Sequence, residues 1–268
     1  MSRFHRLENV PSWRKMALFA WDRPRDPTVY GSIEVNVARA QRHLAELREQ
    51  TGVKLTLTHL VGKAVAAAIA ERPEVNAIIR RGQLYVRDSI DVFFQVAFEG
   101  GENLAGTKVC DADRKSLVEI GRELTDRVER MRSKKDEPTQ KSARRMSALP
   151  GPLLRLVMRL GETLSYDFDV DLSRFGVPAD AFGSCMVTSV AGYGLGIGFA
   201  PLFPPGRAPL VLTVGEVREL PAVVDGQVAV APVLTIGVAF DHRVMDGYHA
   251  GRMAKRFRDI LSDPAREL

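Results

Sequence analysis

The residue types and spacings most suited to chemistry lie near the end of the chain, in the octet FDHRVMDG that runs from Phe240 to Gly247. An apolar run over 233–239, typical of a buried strand, precedes the octet, and a helical pattern begins at Tyr248. A strand end followed by a glycine turn fixes the base of a side chain and exposes its tip. His242 is therefore a candidate general base, because histidine is the side chain that changes charge near neutral pH. Taken alone, a histidine in such a place is more commonly a polar residue satisfied by its surroundings.

Two charged neighbours, Arg243 and Asp246, accompany His242. His242 and Asp246 are four residues apart, and Asp246 and His249 are three apart. If all three side chains shared one helix face, they could bind a metal ion together. Gly247 interrupts that helix, so no metal is expected.

Two further patterns favour structural roles. Cys185 falls in an apparent buried strand beside Met186, where a thiol behaves as a small hydrophobe rather than as a nucleophile. Glycines alternate over 193–198, but prolines follow instead of the helix that a phosphate cradle requires. This stretch is predicted to be a flexible turn or a loop that approaches other backbone closely. The remaining histidines lack acidic or nucleophilic partners nearby in sequence and are predicted to be structural or surface residues: His5, His43 and His59.

The elements that must position these residues alternate between strand and helix patterns. Strands are predicted over 30–37, 83–86, 90–98, 104–109, 184–190, 210–217, 228–231 and 233–240, with 83–86 and 90–98 forming either a hairpin or two successive strands. Helices are predicted over 38–50, 58–70, 153–160 and 248–261, and a long amphipathic helix follows Ser116. Strands and helices mix throughout, and no clear linker divides them. The sequence therefore predicts one α/β domain over 1–268.

The segment 134–180 gives a weaker pattern. Its short apolar helix, 153–160, contains Arg155 and Arg159 and is too short to span a bilayer. Three roles stay open for this helix: covering the core, packing on another subunit, or lying on a membrane surface.

Composition narrows the class of protein. Hydrophobic residues make up 45% and charged residues 26% of the chain, which is ordinary for a globular protein. The net charge of +5 comes from cations interleaved with acids, which does not indicate nucleic acid binding. Two cysteines cannot form a disulfide framework, and neither a signal segment nor a membrane-spanning run is present. A cytoplasmic protein with no membrane partner is expected.

The stretch DHRVMDG, from Asp241 to Gly247, resembles the Asp-His-Arg-x-x-Asp-Gly signature of the dihydrolipoamide acyltransferase catalytic domain. The wider superfamily includes chloramphenicol acetyltransferases and peptide-synthetase condensation domains, which often carry His in place of Asp241. Four further blocks resemble this family in order and spacing: Arg14 to Met16, Arg72 to Ala77, Asp111 to Leu117, and Val223 to Gly226. Apart from 134–180, the resemblance covers nearly the whole chain.

This resemblance implies a two-layer α/β sandwich with a mixed sheet, like that of chloramphenicol acetyltransferase. It implies a homotrimer with active sites between subunits, and leaves open whether trimers build a larger assembly. By resemblance, His242 takes the proton from the thiol of coenzyme A or dihydrolipoamide, and the thiolate attacks an acyl thioester. The hydroxyl that stabilises the oxyanion is carried over to Thr188, where the family has serine. Arg243 and Asp246 are expected to hold the loop by charged hydrogen bonds.

The chain also departs from the family. A free-standing catalytic domain, without a lipoyl domain or a peripheral subunit-binding domain, is expected, with coenzyme A alone or a lipoylated partner protein supplying the thiol. The segment 134–180 is longer than the usual connection. Two alternatives stay open: a coenzyme A-dependent O- or N-acetyltransferase of the chloramphenicol type, and a catalytically weak trimeric scaffold of a dehydrogenase complex.

Overall fold

A computed structural model describes residues 26–98, 103–132, 150–173, 180–224 and 226–268. Within these residues, six strands form one mixed sheet, and two more form a separate hairpin. The strands are β1 (Thr28–Asn36), β2 (Ala77–Arg80), β3 (Gln83–Val86), β4 (Val92–Phe98), β5 (Asn103–Val109), β6 (Cys185–Ser189), β7 (Leu210–Val224) and β8 (Gln227–Asp241). The order in the large sheet is β1-β8-β7-β6-β4-β5, with β6 parallel to both of its neighbours and the other pairs antiparallel.

The helices are α1 (Ala38–Thr51), α2 (Leu57–Ala70), α3 (Leu117–Arg132), α4 (Gly151–Glu162), α5 (Gly247–Ser262) and α6 (Pro264–Glu267). Four of them, α1, α2, α3 and α5, cover one face of the large sheet. Alternate strand residues such as Leu212, Leu234 and Ile236 pack against buried residues of α1, α2, α3 and α5 in one core cluster. The two-layer α/β fold with a mixed sheet, which the family resemblance implied, is confirmed.

Local sequence explains where the helices begin and end. Gly52 ends α1 in the left-handed conformation, at φ 68°, one of the usual ways in which a glycine stops a helix. The alanine-rich helix α2 comes very close to β4, because a Cβ added at Gly62 would lie 2.2 Å from the ring of Phe94. Small residues on α2 therefore set the distance between the helix layer and the sheet.

One strand prediction was wrong: the runs 228–231 and 233–240 are one strand, β8, which passes through Pro232. Of the two alternatives for 83–86 and 90–98, two successive strands is confirmed, because β4 pairs with β5 and β6 and not with β3. The partner of β3 is Ala77–Arg80, which was not predicted to be a strand. β7 continues to Val224, so β7 and β8 extend together as a two-stranded ribbon beyond the rest of the sheet.

The opposite face of the sheet, here called the outer face, is covered in part by the glycine-rich loop. A Cβ at Gly215 would lie 2.0 Å from the carbonyl oxygen of Gly196, and one at Gly237 would lie 1.9 Å from that of Gly198. The loop is also bonded to the sheet, since Glu216 N–H donates to Leu195 at 2.9 Å. Of the two predictions for 193–198, the structure supports close approach to backbone.

Helix α4, which belongs to the segment 134–180, contains no buried residue, so a role in covering the core is wrong. A π-helical turn, Thr163–Asp167, follows it directly. In the parts of the chain that the structure describes, no helix combines the length and apolar character that crossing a bilayer requires. The N-terminal block around Arg14 lies outside the described residues.

Candidate active site

The loop that carries His242 is held by the residue before it. The carboxylate of Asp241 accepts hydrogen bonds from the backbone N–H of Arg243 at 2.9 Å and from its guanidinium at 2.6–3.2 Å. The Asp241 carbonyl accepts the N–H groups of Val244 and Met245, at 2.9 and 3.1 Å. The hydrogen bond to Asp241 raises the pKa of Arg243. The turn is thus closed by charged hydrogen bonds and anchored by the buried Met245.

His242 itself lies at the end of β8 with its side chain exposed. Its backbone N–H donates to the carbonyl of Pro27 at 3.0 Å, and its ring stacks at 6.4 Å from that of Phe240. No described residue hydrogen-bonds to its imidazole. The backbone is fixed while both ring nitrogens remain open to a ligand.

Asp246 is the N-cap of helix α5. It accepts the N–H groups of Tyr248 at 2.9 Å and His249 at 3.2 Å, and its carboxylate lies 2.8 Å from His249 Nδ1. These hydrogen bonds, first that from the His249 N–H, lower the pKa of Asp246. The capping box orients the helix that follows the histidine loop. Within the described residues, no three His, Cys, Asp or Glu side chains come together as metal ligands do.

Thr188 lies on β6 with its side chain on the outer face. Its neighbours Cys185 and Val187 point into the helix-covered core, whereas Met186 joins the small apolar cluster on the outer face. Because strand side chains alternate, Thr188 shares the outer face with Met186. Its hydroxyl makes no hydrogen bond to any residue that the structure describes. Burial raises the pKa of the Cys185 thiol to about 12, which fits a structural thiol.

The structure separates Thr188 from His242. Thr188 pairs with Thr213 on β7, and Thr213 pairs with Gly237 on β8, five residues before His242. Strands rise ~3.3 Å per residue and lie ~4.8 Å apart, so the two Cα atoms are roughly 19 Å apart. An oxyanion donor must come within about 3 Å of the reacting oxygen. Thr188 and His242 of one chain therefore cannot both reach the same reacting carbonyl group.

The two candidate residues thus lie at different ends of the sheet. The histidine end is where β8 finishes at Asp241 and β7 begins at Leu210, and the threonine end is where β6 finishes at Ser189 and the β7–β8 ribbon continues.

A cavity of about 450 Å³ adjoins the loop at the histidine end. Its walls carry Asp241 and Arg243 from the loop, Glu162 from α4, and Arg207. Sequence reasoning missed Glu162 and Arg207, because they are distant in sequence and belong to no motif. A second cavity, of about 250 Å³, lies between β1 and α5 and has apolar walls.

Arg207 joins α4 to the rest of the molecule. It donates to Glu162 at 2.8 Å, to both oxygens of Asp167 at 2.7 and 2.9 Å, and to the Ile79 carbonyl at 3.0 Å. Its guanidinium also lies over the ring of Tyr166, 5.1 Å from the centroid. The hydrogen bond to Asp167 is the main cause that raises the pKa of Arg207. The C-terminal end of α4 is therefore fixed beside the histidine end.

The fold and the site define a class. It is a two-layer α/β protein with an exposed histidine at one end of its mixed sheet and, towards the other end, a threonine hydroxyl on the outer face. The model of the 2-oxoacid dehydrogenases acyltransferase catalytic domain matches residues 23–146 and 180–268. The chain belongs to this family, as its motifs suggested. The match omits 147–179, which contains α4.

Curated acyltransferases are similar to the chain in sequence, which agrees with the family assignment. The chain is 27% identical, over 98% of its length, to the dihydrolipoyllysine-residue acetyltransferase component of the pyruvate dehydrogenase complex from Azotobacter vinelandii. It is 26% identical, over 82% of its length, to the mitochondrial succinyltransferase component of 2-oxoglutarate dehydrogenase complex 1 from Arabidopsis thaliana. The chain spans only 36% and 38% of the length of these relatives.

A solved structure of Azotobacter vinelandii dihydrolipoamide acetyltransferase shares the fold. Its TM-score is 0.67 at 22% identity, and the match covers 98% of this chain and 94% of that one. That work concerned the role of a serine, a histidine and an asparagine in the catalytic mechanism of that enzyme.

Proposed function

We propose that this chain transfers an acyl group between coenzyme A and a thiol such as dihydrolipoamide, with His242 as the general base. The observation that carries the proposal is the exposed imidazole of His242 on a loop fixed by Asp241, Arg243 and Met245. Such a loop holds the base in one place without occupying its ring nitrogens. In the Azotobacter vinelandii enzyme the asparagine follows the histidine by four positions, which is also the spacing from His242 to Asp246.

The chemistry is thioester exchange. Neutral His242 accepts the proton of the incoming thiol, and the thiolate attacks the carbonyl carbon of the acyl thioester. A new sulfur–carbon bond forms, the original sulfur–carbon bond breaks, and the leaving thiolate recovers the proton from the imidazolium. Coenzyme A is a substrate in this reaction. Where a lipoyl group is the acceptor, a lipoylated partner protein would supply it.

The oxyanion formed by this attack needs a preplaced donor, and we assign that role to Thr188. The separation of roughly 19 Å within one chain, from strand spacings, means that the donor must come from another copy. A ring in which each copy presents its histidine end to the threonine end of the next satisfies this requirement. Three copies, as the family resemblance implies, give three equivalent sites. In this arrangement Arg243 and Asp246 hold the loop and the following helix.

The activity is tested by incubating the purified protein with acetyl-CoA or succinyl-CoA and either dihydrolipoamide or a panel of alcohols and amines. His242→Ala is compared with His43→Ala, the same change at a histidine on α1 that is distant from the loop in sequence. Transfer to dihydrolipoamide that is lost only in His242→Ala supports the proposal. Activity confined to alcohols or amines would favour the chloramphenicol type of acetyltransferase. Equal rates in wild type and His242→Ala would refute both and favour a scaffold.

A further inference from the structure

Helix α4 presents an apolar stripe with no partner in the described structure. Leu153, Leu156, Val157 and Leu160 follow a helical i, i+3, i+4, i+7 spacing, and each is exposed, Leu156 by 52%. The side facing the molecule carries Glu162, which is bonded to Arg207. The stripe therefore points away from the body of its own chain. Exposed apolar surfaces of this kind mark sites of interaction.

The β7–β8 ribbon presents a second apolar surface. Val223 pairs with Val228, and Pro221 pairs with Val230, so the four side chains share one face of the ribbon. The three valines are 73–79% exposed. Because this patch lies on a ribbon that extends beyond the other strands, no described element of the same chain covers it.

The two surfaces lie far apart within one chain. The C-terminal end of α4 is bonded to Arg207, three residues before β7 begins at Leu210. Val223 is thirteen residues further along β7, which corresponds to roughly 43 Å at ~3.3 Å per residue. The stripe and the patch can therefore meet only between copies.

Each surface adjoins a different half of the proposed active site. Glu162 at the end of α4 and Arg243 of the histidine loop line the same cavity. The ribbon continues directly from the threonine end, where Ser189 pairs with Val214. An interface that joins His242 of one copy to Thr188 of the next thus brings the α4 side of one copy towards the ribbon side of the other.

We propose that the apolar stripe of α4 packs on the valine patch of the β7–β8 ribbon of the neighbouring copy. This inference rests on the proposed function, because the shared site is what brings the two ends together. A contact between two different surfaces is head-to-tail, and such contacts form a ring when the rotation between neighbouring copies closes. Charges agree with this pairing: residues 151–161 carry Arg155 and Arg159 and no acid, whereas residues 216–225 carry three acids and one arginine.

Disulfide trapping tests the contact directly. Leu156→Cys and Val228→Cys are introduced together, and the oxidised protein is separated on a non-reducing gel. We expect bands of covalent dimers and trimers and of no larger species, because a closed ring of three copies cannot be crosslinked to a fourth. Leu156→Cys combined with Ala229→Cys is the matched control, since residue 229 points to the opposite face of the same ribbon. Each single variant measures the background from Cys110 and Cys185.

A ladder in the 156/228 pair that is absent from the 156/229 pair supports the contact. Equal crosslinking in both pairs, crosslinking in neither, or a ladder beyond three would overturn it. A second measurement guards against trapping of rare encounters: Leu156→Glu with Leu160→Glu should lower the mass in light scattering, whereas an unchanged mass would contradict the proposal. Loss of binding to anionic vesicles in this variant, with its mass unchanged, would assign α4 to a membrane surface and also overturn the contact. Transfer activity in wild type, measured separately, shows whether a failure lies in this contact or in the proposed function.

Discussion

At the histidine end of the sheet, charged hydrogen bonds hold the backbone of a short loop, and the side chain of His242 is exposed at its tip. At the threonine end, a strand in the sheet ladder sets the position of the hydroxyl, and the surrounding exposed surface is apolar. The first end is complete within one chain, down to the cap on α5. Among the described residues, nothing hydrogen-bonds to the hydroxyl of the second end, and no other element covers its ribbon. Under the proposed function, this contrast means that the base is preorganised by the monomer and the oxyanion site is completed by assembly.

The largest effect is expected from mixing two inactive variants, which tests whether His242 and Thr188 of one active site come from different copies. We expect His242→Ala alone to lose about 10³-fold in turnover, because the base is removed. When His242→Ala and Thr188→Val are unfolded, mixed in equal amounts and refolded together, random rings should recover about a quarter of wild-type activity. Only sites that draw the histidine from one variant and the threonine from the other are intact.

The rate of transfer to dihydrolipoamide measures this recovery, and each variant refolded alone is the control. A mixture no more active than the sum of its parts would show that both groups come from one chain, against the distance across the sheet.

Thr188→Val addresses the threonine end by itself. Valine keeps the shape and removes the hydroxyl, so we expect kcat to fall about 10²-fold, the usual effect of losing one oxyanion donor. Thr188→Ser keeps the donor and should remain within a few-fold of wild type. If valine and serine behaved alike in steady-state kinetics, Thr188 would have no role in the reaction.

Asp241→Ala addresses the support of the histidine end. It removes the acceptor of the Arg243 hydrogen bonds, which frees the loop, and we expect kcat/KM to fall about 10-fold through misplacement of the base. Arg243→Ala should have a smaller effect, since Asp241 still accepts the backbone N–H of residue 243. The reverse order of the two effects would indicate that Arg243 contacts the substrate instead.

A second histidine separates loss of activity in acid from loss of the fold. Burial, and then the charge of Lys54, lower the pKa of His59 to about 4 from 6.5. As the pH falls, His59 therefore takes up a proton in the unfolded chain before it does so in the folded protein. The free energy of unfolding keeps the full contribution of neutral His59 above pH 6.5 and decreases as the pH drops towards 4. Full protonation would cost up to about 3 kcal/mol. Urea unfolding at pH 7 and pH 4.5 should show this loss in wild type.

His59→Gln is the matched variant, because glutamine can still accept the Thr56 N–H that His59 Nδ1 accepts at 2.9 Å. Its stability should depend less on pH over this range. If wild type and variant lost the same stability, other groups would dominate acid unfolding.

Sequence patterns predicted the helices and most strands because each buries one periodic face. These patterns failed where contacts with distant parts of the chain decide whether a segment forms a strand. Pro232 suggested a break, yet β8 continues through it, since its carbonyl is still used by the Val37 N–H at 2.9 Å. The strand Ala77–Arg80 is only four residues long and has too few alternations to be detected.

The site divides in the same way. The motif around His242 predicted the histidine loop, because the strand, the turn and the helix cap are consecutive in sequence. The distance between His242 and Thr188 could not be predicted, since it depends on strand order and direction. Arg207 also escaped detection, because its partners come from α4, the π-helical turn and β2.

Gly215 and Gly237 have a consequence for how this family can vary. Two carbonyl oxygens of the loop lie where the Cβ atoms of any other residue would be. A homologue with alanine at either position must therefore route this loop along a different path, and would lose the edge-to-face contact of Phe199 with Tyr30. The two glycines thus serve as a diagnostic: their joint presence in a sequence marks the relatives that share this covering of the outer face.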